Sequence, residues 1–401
     1  MLNSLKELSE KLPELNFYSG NVSQVIQELA SKEKIEAVFF NRDYSPYSLK
    51  RDLEIKKLAK SKDFDCLSFA DVLLNEPGQV LKKDKKPYTV FSYFYKTAIK
   101  NEVKKVSRLK KASFLKLKKT DLSLFSSKIL NKKDYNTNLL SKGGRIEALK
   151  VLKNIKSIKN YTDIRDFPSI KGTSILSPHL KFGTVSVREV YFKIYKELGS
   201  NHPLIRQLYW RDFFSHISYF FPHVYKSNFY KKYDTVKWKK NTKLFNAWKI
   251  GKTGFPIVDA GMRELNTTGF MHNRVRMVVA SFLTKDLHIN WKEGERYFAQ
   301  KLVDYDIAVN NGNWQWAAST GCDAQPYFRI FNPWLQQKRF DKDCLYIKKW
   351  IPELNDLTNK EIHHLFENDV KVKDYPQPVV NHKIEKEVAL ELYKIGFSKI
   401  V

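Results

Sequence analysis

Apolar and polar positions change their period along this chain, and the change divides it. In "MLNSLKELSEKL", Leu2, Leu5, Leu8 and Leu12 recur at helical spacing, and the short apolar run "LNFYS" follows. Asn21 and Ser23 stand where a helix over 22–33 needs a cap. "IEAVFF" (35–40) predicts a buried strand, "YSLKRDLEIKKLAK" a helix, and "FDCLSF" (64–69) another strand. Alternation of this kind predicts a parallel sheet with crossover helices. With "LNFYS" counted, it supplies three strands, where a typical sheet has about 5–6. The chain also begins on a helix, so a first βαβ-sized piece of about 30 residues or more is expected to be missing. An unpaired edge, an exposed apolar face and poor solubility would follow.

From about residue 140 the period is helical, as in "GGRIEALKVLKNI", "SVREVYFKIYKELG" and "HNRVRMVVASFLTKDL". All eight tryptophans lie between Trp210 and Trp350, which marks a second, all-α, aromatic-rich domain. Between the two, "KKVSRLKKASFLKLKK" (104–119) holds eight basic residues and no acid, as a solvated connector or a basic face would. The expected fold is an incomplete Rossmann-like α/β domain over 1–103, a basic linker over 104–140, and a larger all-α domain over 141–401.

Composition narrows the function. No run of about 18 apolar residues predicts a membrane span, and the acid-bearing start does not read as a leader peptide, so a cytoplasmic protein is expected. Cys66, Cys322 and Cys344 lie too far apart for a disulfide framework or a Cys-ligated metal. The nine histidines include no HExxH, and His363 and His364 are adjacent, so no metal site is expected. The net charge of +28 favours a polyanionic partner, although a Lys-rich composition alone gives the same sign. Arginine is more telling: eight of fourteen lie between Arg206 and Arg339, among the motifs.

Four stretches carry candidate chemistry. In "GTSILSPHLKFG" (172–183), Ser177 is a candidate helix N-cap followed by Pro178. Thr173, Ser174 and Ser177 gather hydroxyls where backbone N–H groups point outward, which suits a pyrophosphate or simply caps a helix. "IGKTG" (250–254) lacks the first glycine of a P-loop. In "HPLIRQLYWRDFFSH", Gln207, Trp210 and Arg211 share a helical face, either to hold a planar ligand or to pack a core. In "GFMHNRVRMVVASF", Asn273 and Met277 are four apart, Arg274 points elsewhere, and Arg276 needs a buried carboxylate partner. "LVDYDIAVNNGNWQWAAST" offers Asp304 and Asp306 for that role. There Asn310, Asn313 and Trp314 fall on one helical face, and Trp316 lies about 200° round from Trp314. One tryptophan is then free to face a cofactor and the other a substrate, unless both simply pack a core.

Taken together, these stretches resemble the photolyase/cryptochrome family from about Tyr161 to Pro378, most closely the bacterial class I cyclobutane pyrimidine dimer enzymes. The carriers are "IGKTGFPIVDAGMRELNTTGFMHNRVRM", "INWKEGERYFAQKLVDYD" and "NNGNWQWAASTGCDAQPYFRIFNP". The resemblance implies light-driven repair of pyrimidine dimers in DNA by photoexcited reduced FAD. It implies that Tyr161, Thr173, Ser174, Ile175, Leu176 and Ser177 hold the FAD phosphates. Arg211, Asp304, Tyr305 and Asp306 would line the flavin and adenine, with Arg276 paired to Asp304. Asn310 would lie near flavin N5; repair enzymes carry Asn there, which favours a reduced, anionic flavin. Trp314, Trp291 and Trp238 would pass electrons from the surface to the flavin, Trp238 being the exposed end. Trp210 and Trp316 would flank the flipped dimer, with Asn273, Arg274 and Met277 along it. Gln207 stands where bacterial dimer enzymes usually have Glu, and Gln occurs there in (6–4) photolyases and many cryptochromes. The loop "NRDYSPYSLKRD" lacks the Asn-Glu pair of folate-binding relatives, so the antenna chromophore is left open, its absence included. A monomer is expected. A blue-light sensor, a (6–4) enzyme, and an inactive DNA-binding remnant are the alternatives.

Overall fold

The structure, a computed structural model, describes residues 1–12, 14–107, 113, 136–367 and 371–398, with side chains as far as Lys394. Most of the basic 104–119 run lies outside the described residues. The chain divides into two compact units. The first is Met1–Thr137, Ser141–Lys156 and Ile175–Pro222; the second is Asn138–Leu140, Ser157–Ser174 and His223–Val401.

In the first unit the described sheet has two parallel strands, β1 (Ala37–Asn41) and β2 (Asp65–Phe69), in register Ala37↔Asp65 to Asn41↔Phe69. The crossover is the helix Pro46–Lys62: Ser45 caps it, Pro46 occupies its first turn, and Asp63 ends it in the left-handed region. The expected strand in "LNFYS" does not form. Asn16 instead donates Nδ2–H to the Glu14 carbonyl at 2.9 Å, a local bond that competes with a ladder. The two strands are also not buried as expected. Phe39 is 62 %, Leu67 43 % and Phe69 51 % exposed, and the Phe39 and Phe69 rings stack at 6.2 Å on the open side. Continuous apolar runs suggest a sheet covered on both faces. Here the period-2 alternation puts Phe39, Leu67 and Phe69 on a face that no described element covers.

The long helix Pro203–Phe220 buries Leu204, Ile205, Leu208, Tyr209, Phe213 and Phe214 in the first unit. It packs beside the helices Phe91–Ala98 and Val187–Leu198. Phe213 meets Phe91 at 5.6 Å and Phe94 at 5.4 Å.

The described part of the second unit is helical. The helices Thr242–Ile250, Pro256–Thr268, Asn273–Lys285, Trp291–Lys301 and Ile307–Ala317 enclose Trp248, Phe255, Phe282, Trp291, Phe298 and Trp314. "IGKTG" is a helix end followed by a turn, as its failure to match a P-loop implied. Gly251 closes Thr242–Ile250 at φ 66°. Buried Asp259 then accepts from Thr253 N and Oγ1 at 2.7 Å each, from Gly254 N at 2.9 Å and from the Tyr375 hydroxyl at 2.7 Å. None of the three cysteines forms a disulfide, and no metal-binding cluster occurs among the described residues. No described helix is long and apolar enough to cross a membrane.

Candidate functional site

In the second unit the helix Asn273–Lys285 begins at His272, whose ring nitrogen accepts from Arg274 N. One turn in, Arg276 meets the carboxylate that its position demanded. Its Nη2 donates to both Asp304 oxygens at 3.2 and 3.0 Å, and its Nε to the Met271 carbonyl at 2.7 Å. The Asp304 side chain is nearly closed to solvent, while Arg276 keeps about a quarter of its exposure. The guanidinium lies over the Phe270 ring. A charge so enclosed is kept only where it is paired.

Asp306 takes a different part: its carboxylate caps the helix Ile307–Ala317, accepting from Ala308 N and Val309 N. Within that helix the asparagines divide. Asn310 donates its amide to Glu295, at 2.8 Å to Oε1 and 3.2 Å to the backbone carbonyl. Tyr305 also bonds the Glu295 side chain. Burial pushes the Glu295 carboxyl up, and the bonds from Asn310 and Tyr305 oppose it. Asn311 and Gln315 both donate to the Val224 carbonyl at 3.0 Å, and Gln315 accepts from Phe229 N, so they pin the 224–229 segment. Asn313 is exposed and bonds the Val309 carbonyl, so it does not share a buried face with Asn310 and Trp314. The positions 313 and 314 flank 310 on opposite sides, about 60° and 40° away, and packing separates them.

Trp314 is packed against Phe298 at 5.0 Å and Trp248 at 6.2 Å, while Trp316 is half-buried. Trp291 is buried and gives its indole N–H to Asn228 Oδ1 at 2.8 Å. Trp238, expected at the surface, is half-buried: Tyr393 of the helix His382–Ser398 meets its ring edge-on at 6.1 Å. Polar neighbours in sequence suggested exposure, and a distant aromatic residue reduced it. Asn273 is exposed, with Nδ2 3.8 Å from Met277 Sδ. Arg274 turns to Asp166 at 3.0 Å and over the Phe340 ring at 4.2 Å. Tyr161 is buried, with Arg165 over its ring, and burial raises its hydroxyl. Thr173 and Ser174 belong to this unit as well.

In the first unit Ile175 takes φ 51°, the left-handed region that a β-branched residue rarely enters. Leu176 follows in the right-handed helical region. Strain of this kind is held where function or packing demands it. Ser177 is not the N-cap expected of it. It is already helical, Leu176 precedes it as the cap, and no side chain caps this short helix. Arg211 donates to the Val72 carbonyl. Next to it, fully buried Asp212 accepts from Leu74 N and Asn75 N. Trp210 lies flat on Phe91, the centroids 3.6 Å apart and the planes 6° from parallel. Gln207 is half-buried one turn earlier on the same helix.

Two groups escaped the sequence reading. Glu295 lay in a helix whose only evident signal was amphipathic, and nothing local pairs it with Asn310 fifteen residues on. The Asn-Glu dipeptide absent from 41–52 occurs at Asn75–Glu76. Asn75 is tied to Asp212 and to Asn101, whereas neither oxygen of the buried Glu76 carboxylate has a hydrogen-bond partner. Burial raises the Glu76 carboxyl, opposed by the Arg42 charge. The pair stands in "NEPG" (75–78), a stretch outside the four that carried candidate chemistry.

Residues 204–395 match a family model described as the FAD binding domain of DNA photolyase, and residues 1–110 one described as DNA photolyase. The deoxyribodipyrimidine photo-lyase of Alkalihalophilus pseudofirmus is 38 % identical over 393 residues, covering 94 % of this chain and 81 % of that protein. That of Escherichia coli is 36 % identical over 386 residues, covering 92 % and 81 %. Among solved structures, a class III photolyase from Agrobacterium tumefaciens superposes with a TM-score of 0.93 at 35 % identity, over 99 % of this chain and 88 % of that one. An archaeal photolyase from Sulfolobus tokodaii, solved with two FAD molecules, gives 0.86 at 38 % identity, over 98 % and 87 %.

Proposed function

The chain belongs to the DNA photolyase family, and on that footing we propose that it splits cyclobutane pyrimidine dimers in DNA with light. The observation that carries the reading is the pairing of Arg276 with Asp304 in the same unit as Asn310, whose amide is fixed by Glu295. A guanidinium, a carboxylate and a fixed amide suit the polar edge of a flavin. Bound and reduced, FAD supplies the electron that opens the cyclobutane ring and receives it back.

The residues then have these parts. Tyr161, Thr173, Ser174, Ile175, Leu176 and Ser177 hold the phosphates. Arg211, Tyr305 and Asp306 border the cofactor, and Arg276 with Asp304 fixes the charge beside its ring. Trp210 and Trp316 flank the lesion, while Gln207, Asn273, Arg274 and Met277 line it. Trp314, Trp291 and Trp238 form a route for electrons inward from the surface. Residues 141–401 form the catalytic domain, 1–103 the antenna-type domain and 104–140 the linker. The protein works as a cytoplasmic monomer on nucleoid DNA, and its basic surface makes binding weaken as salt rises. The dimer leaves the stack, since a damaged base costs least to extrude. The antenna chromophore is left open, its absence included.

The purified protein should show flavin absorption, and blue light should remove dimers from a lesion-bearing oligonucleotide. Flavin without dimer loss would overturn repair in favour of a sensor or another lesion. No flavin would overturn the cofactor reading.

A further inference from the structure

We propose that Lys285 is a positioning residue whose buried ammonium locks the turn behind Trp316 and so fixes that indole as one wall of the lesion site. The inference rests on the reading that Trp316 borders the lesion. Its geometric part does not. Lys285 ends the helix Asn273–Lys285 and is fully closed to solvent. Its Nζ donates to Ser319 Oγ at 2.7 Å, to the Arg329 carbonyl at 3.3 Å and to the Tyr327 carbonyl at 3.4 Å. Three N–H donors thus meet three oxygens, all of them neutral. Desolvating an ammonium for neutral partners is costly, and a packed apolar side chain would serve a plain core better.

What the ammonium holds is the chain reversal after Trp316. The helix Ile307–Ala317 stops one residue beyond that indole. Ser319 N–H donates to the Trp316 carbonyl at 3.1 Å, and Ser319 takes φ 59°, a region costly for a residue with a side chain. Thr320 N and Gly321 N both return to the Gln315 carbonyl, at 2.9 and 3.1 Å. Lys285 grips this turn by the Ser319 hydroxyl, and at Tyr327 and Arg329 it grips the limb that comes back. Tyr393, whose ring centroid lies 5.9 Å from Nζ, donates its hydroxyl to the Ala318 carbonyl. One cation therefore closes both limbs of the loop that follows Trp316. A wall fixed before binding costs no ordering when a base arrives. An indole free to tilt loses overlap with an extruded base, whereas contacts to phosphates, which any DNA offers, are untouched. Lys285 therefore governs the preference for damaged over undamaged DNA rather than DNA binding as such.

The test measures, in the dark, the Kd of the flavin-loaded protein for an undamaged oligonucleotide and for the same oligonucleotide with one thymine dimer. The readout is the ratio of the two. A smaller folded fraction weakens both affinities alike and leaves the ratio unmoved, so a merely structural role does not change it. Trp316→Ala should lower the ratio about tenfold, the scale of one base–aromatic stack, and Lys285→Met about fivefold. Because Lys285 acts through Trp316, adding Lys285→Met to Trp316→Ala should lower the ratio by no more than about twofold further. The parent's ratio in Lys285→Met, or an equal fall in both backgrounds, overturns the inference and leaves the dimer reading intact. A parent that binds both oligonucleotides alike overturns that reading and the inference with it. If Lys285→Met does not fold or load flavin, Ser319→Ala decides by the same comparison, with a fall of about threefold expected in the parent background and none beside Trp316→Ala.

Discussion

Phe39 and Phe69 of the two-stranded sheet face outward, whereas Trp248, Phe298 and Trp314 of the helices between Thr242 and Ala317 face one another. Phe39 and Phe69 stack on an open surface. Trp248, Trp291, Phe298 and Trp314 are each 3 % exposed or less. The composition of the two regions is similar in kind, with bulky apolar residues in short runs. What differs is the number of elements that meet on each ring. A residue on a two-stranded sheet has two faces to cover and here one layer to cover them, while a core ring is enclosed by helices on several sides. Apolar content therefore marks a candidate for burial, and the neighbours decide whether burial occurs.

The largest expected effect breaks the helical side of this comparison. Trp314→Ala should cost about 3–5 kcal/mol, as aromatic-to-alanine changes in a packed core do, read as a lower denaturation midpoint. Gly294→Ala attacks the same contact from the other side, because a Cβ there would overlap the Trp314 ring and Leu283. Overpacking of that kind costs about 1–3 kcal/mol. A loss of under 1 kcal/mol for Trp314→Ala would mean that this core is not close-packed.

An intermediate effect concerns pH. Asp212 of the first unit is pushed up to about 7, by burial first, against the bonds from Asn75 and Leu74 and the Arg211 charge. An unfolded aspartate titrates near 3.9. Between those values the folded chain holds a proton that the unfolded chain has released, so stability falls as pH rises from about 4 to about 7. Asp212→Asn should flatten part of that fall in denaturant titrations at several pH values. Part should remain, because Asp259 of the second unit is likewise pushed up to about 6 by burial. An unaltered slope would show that Asp212 titrates normally.

The smallest effect lies on the sheet. Phe39→Ser removes an exposed ring and should change stability by no more than about 0.5 kcal/mol. A cost above about 2 kcal/mol would show that the open face is covered in solution.

Sequence by itself determined the broad plan. Periodicity marked the helices from residue 140 onward, the two strands and their crossover, because each is set by which side chains alternate along a short segment. It required a carboxylate for Arg276, since a charge inside an apolar helix has few alternatives. It also placed Trp314 in a core, as one of the two readings left open. Tertiary structure alone decided the rest. Asn310 meets Glu295, Tyr393 covers Trp238, Phe91 covers one face of Trp210, and the Glu76 carboxylate is buried with no hydrogen-bond partner. None of these follows from periodicity, because each joins side chains on separate segments. A local pattern fixes which way a residue points along its own helix or strand; what it points at depends on how the chain returns.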